Sequence, residues 1–134
     1  MIETKGVCHF TIAVTDSVKS TEFYTDVLGL RLLNANHDRG MVFLDSAGDC
    51  IVLMKTETTI APVHQRDAHH AFHVDADKLD DYVQELKNKG VEIILEEERT
   101  GKAVVTGRSV YFPDPDGNII ELVDMYAYSG DKNQ

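Results

Sequence analysis

The 134-residue chain is 43% apolar and 27% charged, which is ordinary for a globular protein and long enough to bury a core. Thirteen basic against 23 acidic residues give a formal net charge of −10; such a surface repels phosphate backbones and anionic lipid, so nucleic-acid and membrane partners are not expected. No apolar run approaches a membrane span, the N-terminus shows no basic-then-apolar leader, and Cys8 and Cys50 are too few for a disulfide framework. A cytoplasmic protein with buried free thiols is the expectation.

Residues 7–14, VCHFTIAV, read as a strand. Asp16-Ser17 then offers a helix N-cap, Phe23, Val27 and Leu28 are spaced for one buried face, and Gly29 stands where a left-handed residue ends a helix. RLLNAN, GMVFLD and CIVLMK give three short strands. KTETTIAPVHQRD, residues 55–67, is polar, contains Pro62 and reads as a linker. HHAFHV begins a second series: Asp77 caps a helix, Leu79, Tyr82, Val83 and Leu86 fall on one face, and Gly90 closes it. VEIILEE, GRSVYF and NIIELVD are the next strands, and the run Glu96-Glu97-Glu98 reads as a solvated face.

The second series repeats the order of the first. His9 and His69 lie 60 residues apart, Asp16 and Asp77 61, and Gly29 and Gly90 61; Gly48 and Gly117 lie 69 apart. The growing offset points to an insertion, TGKAVVTG at residues 100–107, in the second copy. Two βαβββ modules, about 5–55 and about 68–126, are therefore expected in a single domain, with a linker at about 56–67 and a tail at 127–134.

Strands alternate faces, so parity sorts their side chains. Cys8, Phe10, Ile12 and Val14 form a core-facing set, which turns His9, Thr11 and Ala13 the other way. By the same rule His70, Phe72 and Val74 face the core, while His69, Ala71 and His73 face away. In the last strand Ile120 and Leu122 take one side, and Ile119, Glu121 and Val123 the other. The repeat thus places His9, His69 and Glu121 on equivalent faces. A glutamate within the apolar run IIELV needs a metal or cation, or it points to solvent, because burying an unpaired carboxylate is costly. Two imidazoles and a carboxylate suit Fe, Mn, Zn or Ni as a divalent ion and leave coordination positions open. The fourth position that the repeat supplies is Val52, which cannot ligate.

The segments CHFTIAVTDSVKSTEFYTDVLGLRL, HHAFHVDADKLDDYVQEL and GRSVYFPDPDGNIIELV resemble the vicinal-oxygen-chelate superfamily over about residues 5–126. That superfamily includes glyoxalase I, extradiol dioxygenases, fosfomycin-resistance enzymes and bleomycin-resistance proteins. The resemblance implies an α+β fold, with two βαβββ modules forming a cupped, mainly antiparallel mixed sheet and helices on its outer face. It implies His9, His69 and Glu121 as ligands of one divalent metal per site. Tyr111 matches a pocket tyrosine and His73 stands beside His69; both are candidates for handling protons. Thr11, Met54, Ser109 and Arg108 are candidate substrate contacts, and Arg108 or Lys102 could hold an anionic group. The DMYAYSGDKNQ tail lacks the arginine that usually helps fosfomycin enzymes do so.

The function these features imply is a divalent-metal-dependent enzyme of glyoxalase or dioxygenase type, whose small oxygenated substrate chelates the metal through neighbouring oxygens. The alternative is an antibiotic-resistance protein, either a fosfomycin-modifying enzyme or a bleomycin-type binding protein without catalysis. A homodimer is the expected assembly, with site residues shared between chains as one arrangement of it.

Overall fold

The computed structural model describes residues 1–57, 68–99 and 107–124. Most of the expected linker, residues 100–106 of the expected insertion with Lys102 among them, and the tail lie outside the described residues. The chain divides into two compact units, residues 1–62 and 63–134.

The first unit runs β1 (His9–Val14), α1 (Ser17–Glu22), β2 (Arg31–Asn36), β3 (Met41–Ser46) and β4 (Asp49–Lys55). Its sheet order is β1-β4-β3-β2, with β1 and β4 parallel and the other pairs antiparallel. Asp16 caps α1 as expected, its carboxylate accepting from the Val18 and Lys19 amides. The helix then widens into a π-helical turn, Phe23–Val27, in which the Leu28 amide reaches back to the Phe23 carbonyl. That extra residue per turn rotates the buried face. Tyr24 (0% exposed) and Leu30 are the buried residues here, and Phe23, Val27 and Leu28 are only partly covered. Gly29 takes φ 77°, the left-handed turn expected of it.

The core face of this sheet carries Ile12, Val14, Val42, Leu44, Ile51 and Leu53, all buried, with α1 packed on β3 and β4. Each such side chain contributes about 1.5–3 kcal/mol when fully buried. Parity is right for β1, but its N-terminal half lacks cover: Phe10 is 57% exposed and Cys8 is an exposed thiol, not a buried one. A bulge between Leu32 and Asn34 interrupts the β2–β3 register.

The second unit repeats the plan with β5 (His69–His73), α2 (Leu79–Asn88), β6 (Leu95–Arg99), β7 (Gly107–Pro113) and β8 (Ile119–Val123). Its sheet order is β5-β8-β7-β6, again with the first pair parallel. Asp77 does not cap α2. It lies inside a single 3₁₀ turn, Ala76–Lys78, that leads into the helix. Leu79, Val83 and Leu86 are the buried residues of α2, and Tyr82 is at the margin. β6 starts at Leu95 rather than at residue 91 and extends two residues past the expected end, to Arg99.

The α+β fold of two βαβββ modules expected from the sequence is the fold observed, its strands forming two four-stranded mixed sheets, one in each unit. No helix among the described residues is long and apolar enough to cross a membrane.

Candidate metal and substrate face

In the second unit, register decides which side chains share the face away from α2. Ala71, Glu121, Tyr111 and Leu95 form one row across the sheet. His73, Val123, Ser109 and Glu97 form the next row. His69 lies opposite Ile119, one step diagonally from Glu121. Paired residues present their side chains on one face, so His69, His73, Ser109, Tyr111 and Glu121 all point the same way.

β8 can hold a carboxylate at this place because the turn before it is tightly built. Asp114 accepts hydrogen bonds from the Asp116 and Asn118 amides and from the Asn118 side chain, and Gly117 takes the positive φ that closes the turn. The strand that follows, IIELV, is buried throughout, Glu121 included at 5% exposure. Its Oε2 lies 3.1 Å from His69 Nε2, and its Oε1 lies 3.4 Å from Arg99 Nη2. The His69 ring meets Tyr111 edge to face at 5.7 Å. Burial and its hydrogen bond to Glu121 push the Tyr111 phenol above its ordinary range. His70, on the opposite face, is lowered from its ordinary value by burial, which Asp114 partly offsets.

Arg99 was not foreseen. It stands at the end of β6 and reaches across the sheet, donating to Ser109 Oγ, to Tyr111 Oη at 2.7 Å and to Glu97 Oε2 at 2.9 Å. Glu97, expected on a solvated face, has a side chain only 19% exposed and is tied to this arginine. Arg108, the arginine that was foreseen, lies on the helix-facing parity of β7 and pairs with Asp80 of α2 at 2.6 Å. An arginine two residues from a glutamate in a strand shares its face, and that was the available signal. It was missed because the expected strand stopped at residue 97.

His9, Thr11 and Met54 belong to the first unit. His9 and Thr11 share one face of β1 with Val52 and Met54 of β4, Thr11 standing opposite Val52. Thr11–Val52 corresponds to Ala71–Glu121 in the repeat, so a buried valine stands where the second unit has its carboxylate. Phe43, paired with Val52, likewise stands where the second unit has Tyr111. Among the described residues, neither unit by itself gathers three His, Cys, Asp or Glu side chains in ligand geometry.

A paired-module α+β protein with an imidazole and a buried carboxylate in contact on the face of its second sheet turned away from α2 belongs to a recognisable class. The sequence model of the Glyoxalase/Bleomycin resistance protein/Dioxygenase superfamily matches residues 6–122, and the chain belongs to that superfamily. It is 31% identical over 123 residues to the fosfomycin resistance protein FosX of Listeria innocua, covering 87% of each chain. It is 32% identical over 117 residues to the glutathione transferase FosA of Serratia marcescens, covering 85% of this chain and 77% of that one. Among solved structures, FosX from Listeria monocytogenes superposes with a TM-score of 0.78 at 27% identity, covering 92% of this chain and 94% of that one. A variant of the same protein, complexed with Mn(II) and 1S,2S-dihydroxypropylphosphonic acid, superposes with a TM-score of 0.76 at 26% identity over 95% of each chain.

Proposed function

We propose that this protein is a divalent-metal-dependent enzyme that opens the epoxide ring of fosfomycin or of a closely similar small phosphonate. The observation that carries the reading is the Glu121 carboxylate, buried on an apolar strand and in contact with His69 Nε2. A buried carboxylate against an imidazole is a mixed oxygen and nitrogen donor pair of the kind Mn, Zn, Ni and Fe accept. Val52, at the position of the first unit that matches Glu121, adds no donor to the pair. The relatives favour fosfomycin modification over ring-cleaving dioxygenase or lyase chemistry.

A bound divalent ion would supply Lewis-acid polarisation of a substrate oxygen. The remaining work falls to the chain's own side chains. Arg99 provides positive charge on a face that must hold an anionic phosphonate, a part that Arg108 on the opposite face does not play. Tyr111 keeps its proton, because burial and Glu121 both oppose its ionisation, and so can donate a hydrogen bond to the oxygen released from the ring. His73, exposed on the same face as His69, can accept the proton of the incoming nucleophile. In ring opening that nucleophile, water or a thiol, bonds to one ring carbon, the carbon–oxygen bond breaks, and the oxygen takes up a proton.

The test is phosphorus NMR of fosfomycin incubated with protein loaded with Mn(II), Zn(II), Ni(II) or Fe(II), with and without glutathione. A new phosphonate resonance is expected with wild type and not with His69→Ala, together with loss of bound metal from the variant. Intact fosfomycin in every arm would remove the substrate assignment, and equal metal content in the two proteins would remove the metal.

A further inference from the structure

Arg99 has more partners than a surface arginine needs. Its guanidinium meets oxygens of Ser109, Tyr111, Glu97 and Glu121, and the side chain is 27% exposed. Of its two carboxylate contacts, Glu97 is close at 2.9 Å and Glu121 long at 3.4 Å. Glu121 carries the complementary difficulty. An ionised carboxylate almost withdrawn from water is stable only when paired. His69 touches one of its oxygens and Arg99 the other.

The internal repeat acts as a control. Where the first unit has Val52 in place of the carboxylate, the position matching Arg99 at the 61-residue offset is Asp38, in the turn after β2. At the matching position, the copy without the buried carboxylate has an acid in place of the arginine.

We propose that Arg99 is the counter-cation of Glu121 in the metal-free protein and gives that carboxylate up when a divalent ion takes it, so that Arg99 sets the metal affinity of the site. This rests on the metal reading above. Two cations on one carboxylate repel each other, so the ion must displace the guanidinium from Glu121 before its binding is fully favourable. The displacement is small, because Glu97, Ser109 and Tyr111 can retain Arg99 while the longest of its contacts lapses. Arg99 therefore acts on the ion through Glu121 and is a positioning residue.

The experiment compares wild type, Arg99→Gln and Arg99→Lys, each stripped by chelation, by calorimetric titration with Mn(II) and by thermal unfolding with and without it. Arg99→Gln is expected to melt lower than wild type when metal-free. It is also expected to bind Mn(II) about tenfold more tightly, equivalent to about 1.4 kcal/mol. Arg99→Lys, which keeps the charge, should stay near wild type in both. The gain should persist in high salt, because a partly buried contact is poorly screened. A second variant, Glu97→Gln, removes the partner that draws Arg99 away from Glu121 and should weaken Mn(II) binding, which keeps the test available if Arg99→Gln does not fold. Unchanged or weaker binding by Arg99→Gln, or unchanged binding by Glu97→Gln, overturns the role of Arg99 and leaves the metal reading standing. Wild type that takes up no divalent ion overturns both.

Discussion

Glutamine in place of Glu121 keeps the shape of the side chain and deletes its charge, which separates a structural role from a ligand role. The charge lost lies 3.4 Å from Arg99; at an effective dielectric constant near 20 such a pair attracts by about 5 kcal/mol. Solvent reaches Arg99, 27% exposed, and reduces that figure. Against it stands the desolvation of a carboxylate only 5% exposed, which costs several kcal/mol. Arg99 is not orphaned by the change, since Glu97 still holds it. The opposing effects nearly cancel, so metal-free Glu121→Gln should unfold within about 2 kcal/mol of wild type. Its Mn(II) affinity should fall by more than about 100-fold, beyond the loss typical of residues that only support a ligand. Urea unfolding of chelated protein and Mn(II) titration measure the two quantities. A metal-free loss above about 4 kcal/mol would make Glu121 part of a structural ion pair, and unchanged Mn(II) binding would take it out of the ligand set.

Gly107→Ala should destabilise the second unit by more than about 2 kcal/mol, because φ there is +135° and a Cβ would stand 2.6 Å from the Asp124 carboxylate; an unchanged urea midpoint would contradict this. Tyr111→Phe removes a hydroxyl bonded to Arg99 and Glu121. It should cost about 1–2 kcal/mol of metal-free stability and lower turnover while Mn(II) content is kept, so wild-type turnover would end the proton-handling role. If a homodimer shares site residues between chains, inactive His9→Ala and Glu121→Ala proteins unfolded and refolded together should recover about a quarter of wild-type activity, since about half of the dimers are mixed and half of a mixed dimer's sites are intact. No recovery would exclude sharing.

Much of the candidate face was legible because strand parity is local. A period of two assigns His69 and Glu121 to one side and His70 to the other wherever the strand starts, and the observed registers agree. The register also puts Ser109 and Tyr111 on that side, as the sequence reading required of pocket residues. Arg99 escaped for a reason equally local. A polar edge strand reading LEEER carries no apolar alternation, and it exists because β7 supplies hydrogen bonds as far as the Arg99–Gly107 pair. With the strand ended two residues early, Arg99 had no assigned side, and Glu97 looked like one of three solvated acids. Arg108 was misplaced in the other direction, chosen for its charge although its parity turns it toward α2.

The linear pattern alone determined the duplicated βαβββ plan, the glycine stops at Gly29 and Gly90, and the opposed fates of Val52 and Glu121 at matching positions. Periodicity, capping and repeat spacing are properties of neighbouring residues, and they survive whatever the chain packs against. The tertiary structure decided which charges meet. The π turn at Tyr24 and the 3₁₀ turn that takes Asp77 out of its capping role are closed by local hydrogen bonds, whereas the reach of Arg99 to Glu121 joins residues distant in sequence. Long charged side chains can satisfy several neighbours, and only the folded sheet selects among them.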